Sequence, residues 1–175
     1  DLADLKAVKE AHGGSVNDVL AAMTAVGRAA VSGRDEVDVT VPFAVRSLSQ
    51  PGQYDNQVEA VEVPLSIITA DAVEQYREVA RRLDRAARDN LAIGGKLLVR
   101  VAAPTTYVLA ALGARACMSS RADAVLVNAP GPRAAGKVFE GRSVEAHAAV
   151  PHPAQVGLCV TALSHAGKVS LAHSA

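Results

Sequence analysis

Tryptophan is absent from the 175 residues, and aromatic side chains amount to three Tyr and two Phe. The core must therefore be built from Val, Leu, Ile and Ala, and stacking platforms for bases or sugars are scarce. A surplus of either charge is missing too, because 18 Lys and Arg balance 18 Asp and Glu. A dedicated nucleic-acid binder needs a basic excess to displace counterions, so nucleic acid is excluded as a partner. Cysteine is confined to Cys117 and Cys159, with no C-x-x-C spacing. That pattern demands no disulfide framework and offers no zinc site, and a reducing cytoplasm is the simplest setting. No apolar run reaches the roughly 18 residues of a membrane span, and the opening stretch Asp1 to Glu10 is charged where a signal peptide would be apolar. A soluble single domain is expected, with peripheral contact to a membrane or lipid droplet left open.

What is present alternates between helical and strand periods. Ser15-Val-Asn-Asp18 opens an Ala/Leu/Val/Met-rich run, and the Ser15/Asp18 spacing is that of a capping box, predicting a helix over 15–32. Its apolar line Val16, Leu20, Met23 and Gly27 is narrow between alanines, which predicts burial on more than one side and leaves Asn17 and Asp18 mostly shielded. Val37 to Arg46 alternates with period two, a strand in which Pro42 suggests an edge or a bulge. A second alternation over 57–65 follows a polar Pro51-Gly52 loop. Residues 70–90 form an amphipathic pattern with acids near the start and Arg81, Arg82, Arg85 and Arg88 towards the end, the order a helix dipole favours. An Ala-rich apolar stretch over 96–118 reads as further helix. Short strands are expected at 123–127, 137–139, 143–150, 155–163 and 168–172, with Ser164-His-Ala-Gly167 as the turn between the last two.

Familiar catalytic signatures are missing. His12, His147, His152, His165 and His173 have no helical i,i+4 partner for a metal, so no metal site is predicted. There is no G-x-S-x-G elbow and no phosphate loop of the G-x-x-x-x-G-K type. Two polar positions stand out instead. Asn17 and Asp18 lie in the first turn of an otherwise apolar helix, where they need hydrogen bonds; a cap with a buried structural bond and a polar anchor beside an active site both fit. Asn128-Ala-Pro-Gly-Pro132 is a rigid turn that places Asn128 at a strand end, where ligands are often met.

Taken in order, Gly14-Ser-Val-Asn17-Asp18-Val-Leu, Val41-Pro-Phe-Ala-Val-Arg46, Asp55-Asn56-Gln-Val, Asn128-Ala-Pro-Gly-Pro132 and Leu163-Ser-His-Ala-Gly-Lys168 resemble the C-terminal half of the bacterial wax ester synthase/diacylglycerol acyltransferase family. The resemblance covers nearly all of residues 1–175. It implies an α/β fold, one lobe of the two-lobed CoA-dependent acyltransferase architecture, with a mixed sheet flanked by helices. It also implies an N-terminal catalytic lobe and a final helix outside this chain.

The family's His-His-x-x-x-Asp-Gly motif belongs to that N-terminal lobe, and neither His-His nor His-x-x-x-Asp occurs here. By resemblance, a histidine of the other lobe deprotonates an acceptor hydroxyl, a fatty alcohol or diacylglycerol, and the alkoxide displaces CoA from acyl-CoA. No bound cofactor is implied; CoA enters as part of a substrate. Asn17, Asp18, Arg46, Asn56, Asn128 and Ser164 become the substrate-binding or interface residues, with no catalytic residue in this chain. The sequence departs from the family pattern at Asp55, at His165, and at Gly157, where an Asn is expected. A noncatalytic interaction module of the same fold and a condensation-like domain acting on carrier-protein thioesters are the alternative readings.

Overall fold

The computed structural model describes residues 1–44, 58–93, 122–134, 137–138, 141–143, 145–150 and 156–175. Three helices, α1 (Leu2–His12), α2 (Val16–Ser32) and α3 (Ala72–Ile93), accompany seven strands. These are β1 (Glu36–Ala44), β2 (Val58–Ser66), β3 (Ala124–Pro130), β4 (Lys137–Val138), β5 (Arg142–Ser143), β6 (Cys159–His165) and β7 (Lys168–Ser174). The expected mixed sheet is present, five-stranded in the order β2-β1-β3-β6-β7, while β4 and β5 pair separately. β1, β3 and β6 run parallel, and β2 and β7 close the two edges antiparallel.

Pairing register explains the core. Val39 of β1 stands opposite Val63 of β2 and Ala124 of β3, so Val37, Val39, Val41, Val63, Leu65, Ala124 and Leu126 share one face and all are buried. Leu20, Ala21 and Ala25 of α2 and Val79 and Leu83 of α3 cover that face. Each fully buried Leu contributes about 1.5–3 kcal/mol relative to an exposed one. Helix α2 lies over β1 and β3, α3 over β2, and α1 against α2 and β7.

The two long helices start as their sequences dictate. Ser15 accepts from the Asp18 amide at 3.3 Å and Asp18 accepts from the Ser15 amide at 2.6 Å, the expected capping box. In α3 the Asp71 carboxylate accepts from the amides of Val73 at 2.8 Å and Glu74 at 3.0 Å. Gln75, though buried, is satisfied: it donates to the Ser66 carbonyl at 2.8 Å and accepts from the Ile68 amide at 3.0 Å, tying α3 to the end of β2.

Several expectations need correction. The buried residues of α2 are Val19, Leu20, Ala21, Thr24, Ala25 and Ala29, whereas Met23 is 52% exposed and Gly27 faces open space. Alanines thus share the buried side with Leu20, in place of Met23. β1 is not an edge strand; its pairing with β3 involves Val39 and Thr40, and Pro42 lies beyond it, where no ladder hydrogen bond to β3 is lost. The charged opening stretch, for which no element is predicted, is α1.

The strand expected over 143–150 is also replaced. Only Arg142–Ser143 pair, and residues 145–150 run as coil across β6 and β7. Side-chain hydroxyls serve that coil in place of a ladder: Thr161 accepts from the Val150 amide at 3.2 Å, and Ser170 and Ser174 donate to the Ala146 and Val150 carbonyls at 3.5 Å. Thr161 and Cys159 are thereby buried on the face of β6 opposite the helices. The helix expected over 96–118 lies outside the described residues, and Gly157 precedes β6 rather than lying within it.

Candidate functional site

The carboxyl ends of the parallel strands β3 and β6 open on one side of the sheet, the usual place for ligands in α/β folds. Register sets which side chains arrive there. Asn128 of β3 is opposite Ala162 of β6, and Pro130 is opposite Ser164, so Asn128, Pro130 and Ser164 continue the helix-facing row that begins with Ala124 and Leu126. Above this row the N-terminal turn of α2 brings Asn17 within reach. The Asn128 side-chain amide donates to the Asn17 carbonyl oxygen at 2.6 Å, joining residues 111 apart in sequence. A carboxamide has two donor and two acceptor positions, so this bond leaves capacity on both side chains.

A groove of about 520 Å³ reaches Asn128 of the pair, with Val16 and Leu20 of α2, Val169 of β7 and Ser164 also along its lining. Its far wall is made by two turns locked to each other. Gly131 donates its amide to the Ser164 carbonyl at 2.8 Å, and the Ala166 amide donates to the Pro132 carbonyl at 3.1 Å. A Cβ at position 131 would stand 2.3 Å from that Ser164 oxygen, so the glycine of the Asn-Ala-Pro-Gly-Pro turn is required by close backbone approach. The β6–β7 turn has a different need: Ala166 and Gly167 both take positive φ, 48° and 80°, the twist of a two-residue hairpin loop. The amide of Leu2 then donates to the Gly167 carbonyl at 3.0 Å, fastening α1 to the same turn.

Asp18 does not join this group. Successive helical residues point about 100° apart, and Asp18 turns into a separate cleft with Ala80, Leu83 and Asp84 of α3. Burial raises its carboxyl above the usual carboxylate range against the lowering pull of the Ser15 hydroxyl and amide, and the nearby Asp84 charge adds to the rise. Tyr76 donates to the Gly13 carbonyl at 2.5 Å above the same cleft, and burial together with the Asp18 charge pushes its phenol up. A Cβ on Gly14, which has φ +85°, would stand 2.6 Å from the Tyr76 hydroxyl oxygen and 2.9 Å from an Asp18 carboxylate oxygen. The bend before α2 thus depends on glycine.

Of the sequence-predicted residues, the structure unites Asn17 and Asn128 by a hydrogen bond, sets Ser164 in the same groove and separates Asp18 from them. Arg46 and Asn56 lie outside the described residues. The sequence reading missed Asp123, whose carboxylate accepts from Arg34 at 2.5 Å and from the Asp38 amide at 3.1 Å, aligning β3 with β1. Its one signal is an acid immediately before a buried apolar strand.

The family model for the WS/DGAT C-terminal domain matches residues 54–175. Among solved structures, the chain is similar to the wax ester synthase/diacylglycerol acyltransferase from Marinobacter aquaeolei VT8, at 21% identity and TM-score 0.60, over 97% of this chain and 39% of that one. It is also similar to the epimerization domain from the third module of tyrocidine synthetase B, at 15% identity and TM-score 0.58, over 94% of this chain and 37% of that one. The first condensation domain of the calcium-dependent antibiotic synthetase follows at 16% identity and TM-score 0.52, over 97% and 35%. No curated protein sequence matches significantly. These likenesses establish the fold as one lobe of the CoA-dependent acyltransferase and condensation-domain architecture, and the chain spans well under half of each of these structures. No helix among the described residues is long and apolar enough to cross a membrane.

Proposed function

The chain belongs to the WS/DGAT C-terminal domain family, and from that premise we propose that it is the C-terminal lobe of an acyl-CoA-dependent O-acyltransferase. In this reading it forms one wall of the tunnel in which acyl-CoA meets a fatty alcohol or diacylglycerol, in the cytoplasm or at the surface of a lipid phase. The observation that carries the reading beyond family membership is the groove at the carboxyl ends of β3 and β6. There the carboxamide of Asn128, held by its hydrogen bond to Asn17, lies in one lining with Val16, Leu20 and Val169. Aliphatic walls suit methylene chains, at about 0.8 kcal/mol per buried CH₂, and carboxamides suit the amides of a pantetheine arm.

The lobe's part in the reaction is to orient rather than to transfer protons. A general base on the N-terminal lobe takes the acceptor's hydroxyl proton, the oxygen attacks the thioester carbonyl, and the C–S bond breaks to release CoA thiol. Asn17 and Asn128 hold the arm so that the carbonyl meets the attacking oxygen. Arg46 and Asn56 are kept as substrate-binding or interface residues, Ser164 is assigned to the acceptor side, and Asp18 to holding the α2 terminus that presents Asn17.

The test is thiol release from long-chain acyl-CoA by the full polypeptide that contains this chain, with and without a fatty alcohol or diacylglycerol. Acceptor-dependent release, abolished when the upstream lobe is left out, is expected. Turnover by residues 1–175 alone would refute the division of labour, since the base would then be one of its own five histidines. The structural likeness to condensation domains keeps a second reading in view, transfer from a carrier-protein thioester, and saturation by an acyl carrier protein in place of acyl-CoA would select it.

A further inference from the structure

We propose that Lys6 of α1 and Arg133, next after the Asn128–Pro132 turn, bind the phosphate groups of CoA at the mouth of the groove. This rests on the acyl-CoA reading above and assigns the polar end of that substrate to named residues. The first support is charge. Among the described residues that line the groove, Lys6 and Arg133 are the charged side chains, and none is Asp or Glu. That single sign is notable in a chain with 18 charges of each kind. The cleft beside Asp18 contains Asp84 and Arg81, and the hollow between β2 and α3 sets Glu78 and Asp89 among its arginines. Only the groove over Asn128, among these three, presents cations without a compensating carboxylate.

The second support is the mix of chemistry within the one groove. Both cations are exposed, as phosphates that keep part of their hydration require, while Asn128, Val16 and Leu20 belong to the same lining. CoA has a matching composition: charged phosphates, then an arm of amides and aliphatic carbons. The third support is anchoring. Arg133 follows Pro132, whose carbonyl is bonded to Ala166, and Lys6 sits one helical turn after Leu2, whose amide is bonded to Gly167. Both backbone segments that carry these cations are therefore fastened to the same hairpin turn, which limits how far the two can part.

The experiment compares the full polypeptide with its Lys6→Ala/Arg133→Ala variant on two donors carrying the same acyl group: acyl-CoA and the acyl thioester of N-acetylcysteamine, which lacks phosphate. For acyl-CoA the variant should show KM raised about tenfold, as expected from losing two solvent-exposed charge contacts, with kcat nearly unchanged. For the phosphate-free donor both constants should be those of the unmodified protein, which also shows that the variant folds. Calorimetric titration with CoA itself gives a readout that needs no turnover, and its Kd should weaken by the same factor. Weakened CoA binding in the variant of a protein that transfers no acyl group would uphold the phosphate site while overturning the acyltransferase reading. Unchanged CoA binding, or equal loss on both donors, would overturn the phosphate site and leave the acyltransferase reading standing.

Discussion

Replacing Gly131 by Ala tests whether the groove's far wall is held by backbone contact. The added Cβ would lie 2.3 Å from the Ser164 carbonyl oxygen, about 0.7 Å inside the 3.0 Å that real Cβ atoms essentially never cross. The obstacle is backbone of β6, which is tied to both β3 and β7, so no flexible side chain can yield. Relief requires the two turns to part, and parting them breaks the Gly131–Ser164 bond and strains the Ala166–Pro132 bond. One or two lost hydrogen bonds at about 0.5–1.5 kcal/mol each, with an overpacking penalty of about 1–3 kcal/mol, give an expected loss of about 2–4 kcal/mol. Urea unfolding of the full polypeptide reads this directly. The control is Gly27→Ala on the open side of α2, where a Cβ meets nothing within 4 Å. There the gain in helix propensity should stabilise by about 0.5–1 kcal/mol. If Gly131→Ala changed stability by less than about 0.5 kcal/mol, the close approach would not be holding the turns, and the argument for a rigid wall would fail.

The remaining expectations concern side chains. A double-mutant cycle between Asn17→Ala and Asn128→Ala should give a coupling energy of about 0.5–1.5 kcal/mol in stability, and strict additivity would remove the bond from the account of the site. Asp18→Ala should cost about 0.5–2 kcal/mol through loss of the cap, and acyl transfer should fall further than stability does if Asn17 depends on that turn. Because the folded carboxyl of Asp18 titrates above its ordinary value, its favourable contribution is complete below the unfolded pKa and is lost as pH rises through the folded one. Asp18→Asn should therefore gain stability relative to the parent as pH rises from about 4 through the raised folded pKa. Asp71, lowered by the amides of Glu74 and Val73, has the opposite sign: Asp71→Ala should destabilise at neutral pH and lose its effect as pH falls through the lowered pKa. Thermal melts on the alkaline side of the ordinary carboxylate pKa check Asp18 and melts on its acid side check Asp71, and curves parallel to the parent's would contradict the assigned causes.

Local signals in the sequence were legible where one element decided the outcome. The Ser15/Asp18 spacing located the start of α2, and alternating valines located β1 and β2, because capping and period-two burial act within a few residues. Residues 145–150 misled for the same reason: their pattern suits a strand, but hydroxyls of Thr161, Ser170 and Ser174 engage them from strands elsewhere in the chain. The α1 helix went unread because its charged and apolar residues are interspersed and it has no buried residue, so no core-facing stripe marks it. At the site, the individual asparagines were legible and their union was not. A bond across 111 residues leaves no trace in spacing, and the divergence of Asn17 from its neighbour Asp18 follows from the helical turn only once the sheet beneath is known.

The bond from Leu2 to Gly167 joins residues near opposite ends of the sequence, and this imposes an order on folding. During synthesis α2, β1, β2 and α3 can assemble from their own local contacts, but β3 needs β6 on its other side, and the groove needs the β6–β7 turn. Contacts of such high sequence separation are slow to form. The groove is therefore the last part of the lobe to come into being. Until it does, the strand edges that β3 and β6 will cover stand open to other chains, which makes the partly made sheet the stage most exposed to mispairing.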